Sequence, residues 1–283
     1  MKGPTPSATP LRGDEPVRVS GFSYLPGFVT AVEAEALVAY FGALRPLWEK
    51  RYADDAPSRR GGTGRLTRPV YWLGAWQFAA LGYYSEPDHT HQKCVRAEPF
   101  PDVMRAILER LRPELEAHGD GGVLPNTALI NYYGTEPRGA HEPPVDYARL
   151  RMHRDAEPGA VVMFSIGQPG QFEFVTPGAE APDHAQWVRN RSVLILSGEE
   201  YKDRLYHRIT RVRHGKQPAM SSQLENFAVR RVSVSFRHVP EDAILDLGAL
   251  DEAARAIATP YVETLAGYSS HFQRQLATLP QEP

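Results

Sequence analysis

Apolar residues along this chain follow two rhythms. Between Thr30 and Leu44 the spacing is helical, with Leu37, Tyr40, Phe41 and Leu44 at i, i+3, i+4 and i+7. Thr30 and Glu33 stand where a capping box would open that helix. A second helix is predicted from Pro101, with Val103, Met104, Ile107, Leu108 and Leu111 on its apolar face, a kink near Pro113 and a stop at His118-Gly119. Beyond it the pattern becomes strand-like. Segments 126–133, 160–166, 171–175, 192–197 and 230–238 are rich in Val, Ile, Phe and Tyr and are separated by Gly and Pro turns. Short strands at this spacing predict a mainly β fold with flanking α-helices, a double-sheet jelly roll. Past Pro240 the chain turns acidic, and a last helix is predicted from Thr259-Pro260 through Leu265, Tyr268, Phe272 and Leu276.

There is no internal repeat and no glycine-rich phosphate loop. Residues 1–16 carry Pro4, Pro6, Pro10 and Pro16 among Ser, Thr and Gly, which predicts a flexible tail. One domain is expected over 17–240, with an N-terminal part at 17–125 and a strand-rich core at 126–240, followed by a helical extension at 241–283. At 283 residues and 42% hydrophobic content the chain can bury a substantial core without disulfides. The formal net charge of −2 gives no global attraction to nucleic acid or anionic lipid, so any such binding must be local. A single cysteine, Cys94, excludes an internal disulfide and fits a reducing compartment. No apolar run approaches the ~20 residues of a membrane span, and the N-terminus lacks a signal-peptide core. These features predict a cytoplasmic enzyme without membrane partners.

The candidate chemistry lies between His153 and Arg237. His153-Arg154-Asp155, with His207 far downstream, is the residue set of a two-histidine, one-carboxylate site, which binds ferrous iron and leaves open positions. On a strand, residues i and i+2 share a face, so His153 and Asp155 can reach one ion. The same tripeptide occurs in kinase catalytic loops, but the Asn needed five residues after the Asp is Ala160 here. Asn131 and Tyr133 also share a strand face. In Arg231-Val-Ser-Val-Ser-Phe-Arg237, Val232, Val234 and Phe236 take one face, and Arg231, Ser233, Ser235 and Arg237 take the other. Arginine is rarely buried unless paired with an anion. Two such arms leaning inward suit a dicarboxylate such as 2-oxoglutarate.

Two further stretches carry alternatives. Residues 45–68 are basic and glycine-containing, and Tyr71, Trp72, Trp76, Phe78, Tyr83 and Tyr84 follow. That combination suits a nucleic-acid surface, but from composition alone a solvated loop followed by core aromatics explains it better. Asp88-His89-Thr90-His91 with Cys94 suggests a second metal site, but no other cysteine completes a structural zinc set, and a polar turn explains it better.

Leu129-Ile-Asn-Tyr-Tyr133, His153-Arg-Asp155, Phe164-Ser-Ile-Gly-Gln-Pro-Gly-Gln-Phe172, Ser197-Gly-Glu-Glu-Tyr201 with His207, and Arg231 to Arg237 occur in an order that resembles the AlkB family of Fe(II)/2-oxoglutarate-dependent dioxygenases. The resemblance covers about residues 18–240. It implies a double-stranded β-helix, with Fe(II) held by His153, Asp155 and His207. It implies 2-oxoglutarate held by Asn131, Tyr133, Arg231 and Ser233, with O2 as the oxidant. Arg231 would take the distal carboxylate, and Arg237 would lie where co-substrate and substrate meet. The family's N-terminal part forms a lid over a flipped nucleotide, and Gly82-Tyr-Tyr-Ser85 resembles a lid motif. Trp72, Trp76, Tyr83 and Tyr84 are the candidates for stacking on a base.

The chain departs from the family pattern in two places. Nineteen residues separate Tyr133 from His153, and the span from His207 to Arg231 is expanded, with Arg208, Arg211, Arg213 and Lys216 within it. Both insertions are expected at the pocket mouth. The implied reaction is hydroxylation of a substrate C–H bond, foremost oxidative N-demethylation of alkylated DNA or RNA bases. The alternative is hydroxylation or demethylation of a peptide or small molecule, which the near-neutral charge favours.

Overall fold

The strand predicted at 230–238 lies inside the main sheet. A computed structural model describes residues 15–49, 68–76, 94–119, 121–139, 141–155, 157–179, 181–215 and 220–279. In it β14 (Ala228–Arg237) runs antiparallel between β6 (Thr127–Glu136) and β9 (Val161–Gly167). From β9 the sheet continues through β12 (Ser192–Leu196) and β2 (Phe22–Leu25) to β1 (Val17–Val19). Beyond β6 it ends at β3 (Val70–Leu73), and β7 (Val145–Asp146) pairs with the far end of β6. A second sheet has the order β11 (His184–Val188), β10 (Gly170–Val175), β13 (Tyr206–Val212) and β8 (Leu150–His153), all antiparallel. β4 (Ala75–Trp76), β5 (Cys94–Arg96) and β15 (Ile244–Leu245) form a small separate sheet.

The alternation along β14 assigns its two faces. Val232, Val234 and Phe236 enter a large core with α1 (Ala31–Ala43), α2 (Asp102–Ala117) and the C-terminal helices, where Phe236 meets Phe164 at 4.5 Å and Phe100 at 5.6 Å. The opposite face turns toward the second sheet. A smaller core fills that space, with Phe22, Tyr24, Tyr133, Met163, Phe172, Phe174, Leu194 and Ile209 among its members. Helices on one face and a smaller sheet on the other give the expected jelly roll, and its interior contains the polar residues of β14.

Both early helices form as their apolar spacing predicts. Thr30 caps α1, and its reciprocal bonds with Glu33 complete the capping box. Pro101 caps α2, which continues through Pro113 to His118. The C-terminal expectation is corrected. Instead of one helix starting at Pro260 there are two, α3 (Glu252–Ala266) and α4 (Ser270–Leu276). Asp251 caps α3 through the Ala254 amide, and Pro260 lies inside the helix because Ala258, Val262 and Leu265 on the buried face outweigh its penalty. Gly267 and Ser269 mark the break between the two helices. β7 folds back on β6, and Tyr147 packs against Trp48 at 4.9 Å. Nearly all of the tail expected at 1–16 lies outside the described residues.

Glu33 also joins the two early helices, because Arg110 of α2 donates to both of its carboxylate oxygens at 2.6 and 2.8 Å. That bonding, opposed by burial, brings the Glu33 carboxyl down from 4.5 to about 2. A depressed acid stabilises the fold above its unfolded pKa, and the contribution is lost as pH falls through the folded value. Glu33→Gln is therefore expected to lower unfolding free energy by about 1 kcal/mol at pH 7, the scale of a partly screened ion pair. In urea titrations the difference from wild type should shrink below pH 4.5 and vanish near pH 2.

Candidate active site

The site begins with a strand pairing. β13 runs antiparallel to β8 so that His207 lies directly across from His153, and the two imidazole centroids are 4.3 Å apart. Asp155 follows just past the end of β8 and completes the set. One donor atom from each of His153, Asp155 and His207 lies within 4.8 Å of the others, and among the described residues no other group is placed to hold a metal ion. His207 Nε2 and Asp155 Oδ2 are 3.3 Å apart. Two donors ~2.1 Å from one ion and at right angles are about 3 Å apart, so the pair fits a single ion.

The surrounding groups fix each donor. His153 Nδ1 is 2.8 Å from the Arg151 carbonyl. A carbonyl only accepts, so Nδ1 carries the proton and Nε2 presents its lone pair. Phe172 lies nearly parallel to the His207 ring at 5.4 Å. Arg154, between the first two donors in sequence, points outward, donates to the Asp203 carbonyl and lies 4.9 Å from the Tyr206 ring.

Arg237 reaches Asp155 from β14. Its Nε donates to Oδ1 at 2.9 Å and its Nη2 donates to the same oxygen, which leaves Oδ2 toward His207. Burial alone would raise the Asp155 carboxyl, but Arg237, and then His207 and His153, hold it well below the usual carboxylate range. Glu157, also buried, stands 3.4 Å from Arg237 Nε. This placement corrects one expectation. Arg237 is paired with the carboxylate of the triad, so its place is at the metal end of the site rather than on a free arm of a two-arginine clamp.

Farther along β14 and its neighbour β6 lie the residues expected to hold the co-substrate. Arg231 is 3% exposed, its Nε donates to Ser165 Oγ at 3.2 Å, and its guanidinium carbon is 5.0 Å from the Tyr133 ring centroid. Its Nη1 is buried without a hydrogen-bond partner. Burial lowers the Arg231 pKa, and Tyr133 opposes that shift. Gly170 makes room for the guanidinium, since a Cβ there would approach Arg231 Nε to 3.0 Å. Asn131 and Tyr133 stand opposite Ser233 and Arg231 in the β6–β14 register, and Ser233 Oγ is 3.4 Å from the Tyr133 hydroxyl.

The aromatic candidates divide. Trp72 and Trp76 are buried in the helix-side core, and both indole N–H groups donate to Glu49 Oε1, at 2.8 and 2.6 Å. Trp76 packs edge-on against Tyr261 and Phe272. Neither ring is available to stack on a base, which corrects that expectation; their pattern is that of core aromatics. Tyr83, Tyr84, the Gly82–Ser85 motif and Asp88–His91 lie outside the described residues. Cys94 is buried, and burial pushes its thiol up to about 12. Ser165, Gly170 and Arg68 were missed in the sequence. Ser165 shares a strand face with Val161 and Met163, and its register opposite Ser233 is the signal for it.

A family model described as the 2OG-Fe(II) oxygenase superfamily matches residues 21–237, most of the chain. The chain belongs to this superfamily. The match ends at the last residue of β14, and the dioxygenase accordingly uses Fe(II), 2-oxoglutarate and O2. Its motifs resemble the AlkB family within that group. No curated protein matches the sequence. Solved structures do, among them "The structure of OsALKBH1", at 17% identity and a TM-score of 0.49, covering 78% of this chain and 100% of that one. No helix among the described residues is long and apolar enough to cross a membrane.

Replacing Arg237 tests the electrostatics of the triad without any ligand. Arg237→Met would strand a buried carboxylate, and a loss of about 3–5 kcal/mol is expected on breaking such a pair. Urea unfolding in the presence of chelator, which prevents a cation from standing in for the guanidinium, reads it directly.

Proposed function

We propose that His153, Asp155 and His207 hold the ferrous ion of this dioxygenase and that Arg231 binds the far carboxylate of 2-oxoglutarate. Asn131, Tyr133 and Ser233 complete the co-substrate cradle. One observation carries this reading: a metal-competent donor set and a buried guanidinium that no carboxylate pairs, among the described residues, both border the small core between the two sheets, His207 against Phe172 and Arg231 against Tyr133. A buried cation is costly until an anion meets it, so Arg231 is preorganised for a carboxylate.

When bound, iron and 2-oxoglutarate supply an oxygen-derived two-electron oxidant for a substrate C–H bond, with succinate and CO2 as co-products. The protein's own residues position these groups. Arg237 occupies one oxygen of Asp155 and so presents the other. The Arg151 carbonyl sets the His153 tautomer, and Phe172 keeps water from one face of His207. The proposed substrate is an N-alkylated base in DNA or RNA, where hydroxylation of an N-methyl carbon releases formaldehyde and restores the amine. The AlkB-like order of motifs supports that class. A second reading, a peptide or small-molecule substrate, is favoured by the withdrawal of Trp72 and Trp76 into the core and by the net charge of −2.

Succinate production should depend on methylated DNA or RNA oligonucleotides. Release driven only by a metabolite extract would select the second reading, and no release with any of the three would overturn the enzymatic assignment. Gly170→Ala should weaken 2-oxoglutarate binding by roughly 3- to 10-fold, since displacing one charged hydrogen bond forfeits about 1 kcal/mol. An unchanged KM for 2-oxoglutarate would remove Arg231 from the co-substrate site.

A further inference from the structure

Of the three buried arginines among the described residues, Arg68, Arg231 and Arg237, Arg68 is the one that does not lie on β14. It is 2% exposed, and its Nε donates to Asn131 Oδ1 at 2.7 Å. Its guanidinium carbon lies 5.7 Å from the Tyr133 ring centroid, and that of Arg231 lies 5.0 Å from the same ring. The backbone holds it there, because the Pro69 carbonyl accepts the Tyr132 amide at 3.1 Å and Val70 pairs with Asn131.

From this arrangement we infer that Arg68 is a positioning residue for 2-oxoglutarate, acting through the amide of Asn131. Arginine has five N–H donors and no acceptor, so it bonds only the oxygen of that amide. An asparagine amide can otherwise rotate by half a turn and exchange its donor and acceptor ends. With Oδ1 fixed by Arg68, the NH2 group is the end left to meet an acceptor, and its bond to the Leu129 carbonyl, at 3.4 Å, is long. The cradle can therefore present donors from the Asn131 amide, the Arg231 guanidinium and the Tyr133 hydroxyl, which itself accepts from Ser233 Oγ at 3.4 Å. A keto-diacid, rich in acceptors, is the complement of such a set. A purely structural arginine in this place would, on replacement, change the stability of the fold without changing the affinity of the folded variant for 2-oxoglutarate.

This inference rests on the co-substrate reading above. The test is calorimetric titration of 2-oxoglutarate into the full chain loaded with Mn(II), for wild type, Arg68→Met, Arg68→Lys, Asn131→Ala and the Arg68→Met/Asn131→Ala pair. Arg68→Met should weaken 2-oxoglutarate about 10- to 100-fold, the loss of a charge-assisted hydrogen bond. Mn(II) affinity should stay within about twofold, and kcat at saturating 2-oxoglutarate should be retained while KM rises. The double variant should bind no more weakly than Asn131→Ala alone, because Arg68 acts through that amide. Arg68→Lys, which keeps the charge and most of the stem, should recover part of the affinity and serves if the Met variant does not fold. Wild-type affinity in Arg68→Met, or losses that multiply in the double variant, would overturn the positioning role alone. Failure of wild type itself to bind 2-oxoglutarate would overturn the co-substrate reading and this inference with it.

Discussion

The site depends on the pairing of β13 with β8. His207 faces His153 only in that register, and a shift by one residue would turn one imidazole to the outside of the sheet. The pairing is irregular just beyond this point, with a break between His207 and Ile209. Contacts on either side compensate. Phe172 packs on His207 within the core, and Arg154 ties the segment after His153 to the π-helical turn at Glu199–Arg204 and to Tyr206. π-helical turns are frequent at functional sites.

A second constraint comes from β14, whose alternation serves two environments at once. Its apolar face seals the helix-side core, and its polar face supplies Arg237 to the carboxylate of the triad and Arg231 to the co-substrate end. The six-residue spacing of these arginines separates their tasks. Both arginines keep one buried Nη1 without a hydrogen-bond partner among the described residues, but the charge of Arg237 is met by Asp155 and Glu157, whereas among the same residues no carboxylate pairs with Arg231. One strand thus contains a cation neutralised within the protein and one prepared for an anionic ligand.

Much of this was legible in the sequence, and what was not has physical causes. Strand periodicity placed Asn131 with Tyr133, and the spacing of His153, Asp155 and His207 foretold their convergence. Strand β13 escaped notice because its outward positions, Arg208, Thr210 and Arg211, hide the buried His207, Ile209 and Val212. Composition favoured Trp72 and Trp76 as core aromatics and only the family resemblance made them stacking candidates, because nothing local reveals that Glu49 would be buried to accept both indoles. Arg68 looked like the end of a solvated basic run. Its burial follows from the pairing of β3 with β6, a contact more than fifty residues distant in sequence. Long-range pairing and buried charge are the features that local patterns convey least.

One ion seated between the paired imidazoles and Asp155, with the keto acid beside it, is the centre of the proposed site. Anaerobic titration of Fe(II) and 2-oxoglutarate, followed by visible absorption, measures that arrangement most directly. A weak charge-transfer band saturating at one iron per chain, and abolished by His207→Ala, is the expected result. Absence of the band in wild type, or its persistence in His207→Ala, would contradict it.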